Sequence, residues 1–446
     1  MDIHAKVCAT RRGVLAAAAG GGALVLAACG GAAQTGQAGQ AGQAGAAKKA
    51  SGTMTIWHAS APTSDAGKAL DALLGTFHEQ FPAITPDRLV ASTNTSNNFE
   101  KLQIALTGGQ APDVMSTDVI WPAALVARNA LRPLDAYLKQ VAGDGPKRED
   151  YFEGPLEACT VGGKTYSLPY ETGGLLLFYN QNLFKEVGLD AGTALATWDS
   201  FVDAAKRLTK RSGTEYERMG FLIPRASQEW RVYTWGPFLW QNGGEFVDKT
   251  GKKSTFNEPP GVEAAQFWVD LVQRHQVTAL QQPGGLFDQG LAGMYIQGVS
   301  EITRLKKANL NFPFGTAVLP KKKSAASNTG GWTWGISAEG KNRDAAWQWV
   351  EWSGRVPQLV RWSLEVGQLP PRKSARDTKE WKDLVAAEPA WKAALDTLAI
   401  QRARPQLARY TEWSPLVADG LENAVSGKAP AKQALDEAAR QADQLL

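Results

Sequence analysis

Residues 164–184 read KTYSLPYETGGLLLFYNQNLF. Pro169 and the Gly173-Gly174 pair interrupt an otherwise extended, apolar run, the pattern of a chain passing from one domain to another. On either side, helical and extended patterns alternate. Upstream, TMTIWHA (53–59) reads as a strand, and GKALDALLGTFHEQFP (67–82) sets Leu70, Leu73, Leu74 and Phe77 on one helical stripe. NFEKLQIALTGGQAPDVMSTD (98–118) repeats the order: a helix with Phe99, Leu102 and Leu106 inward, a Gly108-Gly109 stop, then a strand closing at Asp118. Such alternation predicts an α/β sheet. Ligands of these sheets bind beyond the carboxyl ends of the strands, which makes His58 and Asp118 candidates for a cleft.

Downstream, TWDSFVDAAKRLTKRSG (197–213) and GVEAAQFWVDLVQRHQV (261–277) have one apolar face each and predict helices packed on a second sheet. GMYIQGVSEI (293–302), FPFGTAVLP (312–320) and GGWTWGIS (330–337) are strand-like, the last placing Trp332, Trp334 and Ile336 on one side. The remainder is helical, closing with Leu435, Ala438 and Ala439 inward.

The first 51 residues differ in kind. Arg11 and Arg12 precede a weakly apolar run of Ala, Gly, Val and Leu that ends in LAAC at Cys29, the layout of an export signal with a twin-arginine pair. LAAC resembles a bacterial lipobox, so residues 1–28 are expected to be removed and Cys29 to carry lipid. GQAGQAGQAGAAKKASG (36–52) has little to bury, and residues 29–51 are expected to be a flexible tether at the outer face of the membrane. Loss of Asp2, Lys6, Arg11 and Arg12 with the signal takes the net charge from +4 to +2, too balanced to suggest nucleic acid. Of three cysteines only Cys159 remains in the body, which excludes an internal disulfide. Sixteen tryptophans against nine tyrosines suggest a binding face built of large flat rings.

The quoted segments, together with LRPLDAYL (131–138), FLWQNGGEF (238–246) and LPPRKSA (369–375), resemble in sequence and order the extracellular solute-binding proteins of bacterial ABC importers, in the maltose-binding-like group. The resemblance covers residues 52–446. It implies a type II periplasmic-binding-protein fold: two α/β lobes, here 52–167 plus 294–340 and 168–293 plus 341–446, with a ligand cleft between them. Hinges are expected near Ser167–Tyr170, Gly290–Gly293 and Glu339–Arg343. The implied partners are a small-molecule solute and the membrane permease, for a monomer with no cofactor and no metal.

Sugars present apolar C–H faces and a rim of hydroxyls, so flat aromatics and planar polar groups are sought. Trp332, beside two glycines, and Tyr170, after the first crossover, are candidates, with core positions as the alternative. The resemblance adds Trp230, Trp235 and Trp413 as ligand-facing aromatics and Arg372 near the cleft, able to grip a hydroxyl pair or a phosphate. Asp118 could accept sugar hydroxyls, or be a solvated loop carboxylate; His58 could equally be a satisfied loop histidine. Gly298 would let a backbone amide approach, and Ser300 stands where maltose-binding proteins carry tryptophan, which argues against a maltodextrin. The implied function is capture of a sugar or oligosaccharide, with glycerol-3-phosphate or a glycerophosphodiester as the alternative. No HExxH, GxSxG or phosphate-loop motif is present, so an exported carbohydrate-active enzyme is the distant reading.

Overall fold

A computed structural model describes residues 50–90, 98–224 and 228–446; the signal, Cys29 and nearly all of the expected tether lie outside them. The body holds two five-stranded sheets. In the first, Ile84–Val90, Gly52–His58 and Val114–Asp118 run parallel, and Trp332–Ile336 and then Ser167–Pro169 complete it, each antiparallel to the strand before. In the second the order is Phe314–Ala317, Leu175–Asn180, Ala292–Gly298, Glu215–Leu222 and Lys210–Ser212.

Local chemistry accounts for the elements. Ser64 caps the helix Asp65–Gln80 by accepting from the Gly67 amide, and Leu70, Leu73, Leu74 and Phe77 are buried along it. Thr197 and Ser200 form a reciprocal cap on Trp198–Leu208. Successive side chains of a strand point to opposite faces: Leu175 and Leu177 enter one core, Leu176 and Phe178 another. Burial on both faces explains the unbroken apolar run LLLF.

The first crossing occupies residues 170–174, after Ser167–Pro169 has finished the first sheet. The expected hinge at Gly290–Gly293 is not one. Ala292–Gly298 and Phe314–Ala317 pair with Leu175–Asn180, so residues 294–317 belong with the second sheet, and the chain returns between Ala317 and Trp332. Gly293 is small for packing, since a Cβ there would stand 2.9 Å from both the Gly220 carbonyl oxygen and a Leu208 methyl. The Glu339–Arg343 expectation fails as well: Asn342 is held by the Asp113 carboxylate of the first lobe, and helices Arg343–Ser353 and Val356–Val366 pack on that lobe. Only later does the chain leave it, reaching the second sheet with Ala390–Thr397 and closing with Tyr410–Val425 and Ala431–Ala442 packed on helices Gln228–Gln241 and Pro259–Gln273.

Tryptophan is chiefly a core residue here. Trp235, Trp268, Trp349, Trp352, Trp381 and Trp413 are fully buried, against the expectation of a tryptophan-rich binding face. Trp349 meets Phe77, Trp334 and Trp352 with ring centroids 5.3–5.7 Å apart. Trp349→Ala is expected to cost about 3–5 kcal/mol in denaturant unfolding, whereas Trp332→Ala, at a half-buried position, should cost clearly less.

Candidate functional site

Strand register brings the site together. Trp332 lies directly across from Asp118 in the antiparallel pair, and the next residues join through their hydroxyls, Thr117 to Thr333 at 2.7 Å. Trp332 meets Trp121 edge-on at 5.5 Å, and Trp121 stacks on Phe99 at 5.1 Å. These three rings line one wall of a cavity of about 720 Å³, faced by the first turns of helices Gln228–Gln241 and Tyr410–Val425. An inner cavity of about 360 Å³ shares Asp118, Glu229 and Trp332 with it and adds Glu171, Trp230, Tyr233, Gly298, Ser300 and Arg404. Together they form a cleft between the carboxyl end of the first sheet and the helices of the second lobe, of the size that ligand pockets take.

The floor is backbone. Gly173 and Gly330 pair across the crossovers, and Gly331 takes φ +111°, where a Cβ would meet the Glu171 carbonyl oxygen at 2.7 Å. A side chain is therefore excluded at Gly331. At Gly298 a Cβ would meet nothing within 4 Å, so packing does not require its absence there.

Acidic groups dominate the walls. Burial pushes the Asp118 carboxyl up to about 6, opposed by the Arg404 charge and the Ile120 amide. Burial likewise pushes Glu171 up to about 7, with the Trp362 indole opposing and the Asp118 charge adding. Arg404, buried, is ion-paired to Glu229, bonded to the Thr329 carbonyl at 3.3 Å and laid 4.8 Å over the Tyr233 ring. Tyr410 donates to the same Glu229 at 3.1 Å.

Asp118, Trp230, Gly298, Ser300 and Trp332 thus lie on the cleft, and five other candidates do not. Tyr170 is buried behind the floor, its ring stacked on Trp334 at 4.4 Å and its hydroxyl between His58 Nε2 (3.1 Å) and Ser116 (2.9 Å). His58 is buried beside it. Its Nδ1 accepts from the Ser60 amide, which leaves the proton on Nε2 of a neutral ring, and burial pulls the imidazole down to about 3. Trp235 follows Trp230 by five residues, or about 140° around the helix, and faces the core toward Phe246. Trp413 is fully buried against Phe246, Phe256 and Tyr410, while Thr411, Glu412 and Ser414 line the cavity. Arg372 is a buried knot of the first lobe, bonded to Asp150 at 2.8 Å and to the carbonyls of Asp144 and Gly354. The sequence reading missed Phe99, Trp121, Glu229, Tyr233 and Arg404 as cleft residues, and took Glu171, which lines the cavity, for a residue that stabilises the first crossing.

Two sheets joined by crossovers over a shared cleft define a bilobal solute-binding protein. The family model for bacterial extracellular solute-binding proteins matches residues 60–355, and the chain belongs to that family. It is 26% identical over 367 residues to a probable amino-acid ABC transporter periplasmic-binding protein of Sinorhizobium fredii, covering 76% of this chain and 80% of the relative. In structure it is similar to the cyclic α-maltosyl-1,6-maltose binding protein of Arthrobacter globiformis, with a TM-score of 0.77 and 26% identity over 89% of this chain and 99% of that one. It is also similar to UgpB from Mycobacterium tuberculosis in complex with glycerophosphocholine, with a TM-score of 0.75 and 22% identity over 89% and 98% of the two chains.

The raised Glu171 carboxyl has a testable sign. Folding favours its protonated form, so its contribution is full below the ordinary value of 4.5 and is lost as pH rises through about 7. Glu171→Gln keeps an acceptor for the Trp362 indole and removes the charge. The variant is expected to melt above the parent at pH 8 and alongside it at pH 4.5; a variant less stable at both values would contradict the assignment.

Proposed function

We propose that the chain is the solute-binding component of an ABC importer and that its solute is a sugar or oligosaccharide. The observation that carries this reading is the ring row Phe99, Trp121 and Trp332, faced across the cleft by Trp230 and Tyr233 and interleaved with neutral polar groups including Gln103, Gln228 and Thr411. Flat rings suit the C–H faces of a sugar, and amides and carboxylates suit its hydroxyls. Several solved structures of similar fold carry sugars, among them one from Thermotoga lettingae bound with α-D-tagatose. The charges of the cleft favour the glycerophosphate reading less, although sn-glycerol-3-phosphate-binding relatives match 88% of this chain at 23% identity. Arg372, on which it leaned, is engaged within the first lobe, and Arg404 already faces Glu229.

The mechanism needs no covalent step. Solute enters the open cleft, contacts with both lobes favour the closed state, and the permease recognises that state. The lobes in this reading are residues 52–169 with 332 to about 385, and residues 175–317 with about 390–446, connected by the crossovers. Export by the twin-arginine signal and anchoring through lipid on Cys29 complete the proposal, supported by the sequence of residues 11–29. Among the described residues no helix is long and apolar enough to cross a membrane.

The test is a thermal-shift screen against sugars, sugar alcohols and glycerophosphodiesters, followed by calorimetric titration of the hit. Trp332→Ala is expected to weaken a sugar by about 10–100-fold, the scale of losing one stacked ring, with little change in melting temperature. Arg372→Ala should do the reverse, lowering the melting temperature and leaving affinity unchanged. A rise only with phosphodiesters would overturn the sugar reading.

A further inference from the structure

The inner cavity has more negative charge than its own cation can balance. Among the described residues, three acidic side chains line it, Asp118, Glu171 and Glu229, against the single guanidinium of Arg404. Arg404 is bonded to Glu229 and to the Thr329 carbonyl. It acts on Asp118 only through space. The Asp118 Oδ1 accepts from the Ile120 amide at 3.1 Å, and the Glu171 Oε2 accepts from the Trp362 indole at 2.6 Å. Among the described residues neither has a lysine or arginine partner. Glu171 is only 5% exposed, yet it reaches the cavity wall, where Trp230, Tyr233 and Trp332 supply ring surface beside it.

Carboxylates set among aromatic rings suit an ammonium group, which donates charge-assisted hydrogen bonds to the first and is held by cation–π attraction to the second. A phosphate or carboxylate ligand would meet repulsion there. A neutral sugar could use the rings but would bring no cation to favour the ionised forms of Asp118 and Glu171. Resting on the carbohydrate reading above, we infer that the solute carries a protonated amine, as in an amino sugar or an aminated oligosaccharide, and that this ammonium occupies the inner cavity between Asp118 and Glu171, against Trp230 and Trp332.

A further consequence separates this from simple shape selection. A bound ammonium favours the ionised form of both carboxyls, which sit near 6 and 7 in its absence. Binding of the amine at pH 6.5 should therefore release protons from the protein, and binding of a neutral sugar should not.

The experiment is calorimetric titration of the purified protein with matched pairs that differ by amine for hydroxyl: glucosamine and glucose, galactosamine and galactose, and the β-1,4 dimers of glucosamine and glucose. It is run at pH 6.5 in two buffers of different ionisation enthalpy. The amine member of at least one pair is expected to bind about tenfold tighter or better, with proton release. Asp118→Asn and Glu171→Gln, singly and together, should erase the preference while keeping the sugar contacts of the rings. Equal or tighter binding of the neutral member overturns the inference and leaves the carbohydrate reading standing. Silence of both members of every pair and of a wider oligosaccharide panel overturns the inference together with that reading.

Discussion

The strand Trp332–Ile336 is the constraint on which the rest depends. It returns the chain from the second sheet and is inserted antiparallel between Val114–Asp118 and Ser167–Pro169. The same register that fixes its place in the sheet sets Trp332 against Asp118 at the mouth of the cleft. Crossover and cleft wall are thus one piece of backbone: Gly330 and Gly331 carry the crossing, and the next residue carries the ring. A slip of one residue would turn Trp332 to the other face of the sheet and Thr333 toward the cleft. The hydroxyl pair Thr117–Thr333, buried and mutually satisfied, resists such a slip.

Behind this wall, support is aromatic and polar at once. Tyr170, Trp334, Trp362 and neutral His58 pack as one cluster, and two of its members reach outward: Trp362 holds Glu171, and Tyr170 holds Ser116 of the strand ending in Asp118. A buried hydrogen-bonded cluster of this kind fixes geometry because each unsatisfied polar group would be costly. It keeps two carboxyls in a partly desolvated place, where their protonation lies close to neutrality. The cleft is consequently an electrostatic environment as much as a shape.

Much of the architecture was legible in the sequence because local rules decided it. The stripe Leu70, Leu73, Leu74, Phe77, the capped start at Thr197 and the doubly buried LLLF run each state their element through period and capping. Trp332 and Asp118 were legible for the same reason, standing at the ends of recognisable strands. Chain crossings were harder. Glycines at 290 and 293 look like a hinge, but the first ends a turn at φ +75° and the second permits close packing in a strand. The placement of aromatics was harder still, since Trp230 and Trp235 share one helix and differ only by rotation about its axis. Least legible was the Glu229–Arg404 pair, whose members are 175 residues apart and meet only through the tertiary fold. No periodicity carries such a pairing.

Capture of solute between two lobes requires that the lobes move about the crossovers. Small-angle X-ray scattering from the same preparation, without solute and at saturation with the sugar identified by the thermal screen, tests this most directly. A smaller radius of gyration with solute, at unchanged molecular mass, is the predicted result. An unchanged radius under saturation would contradict closure around the cleft and, with it, the capture mechanism.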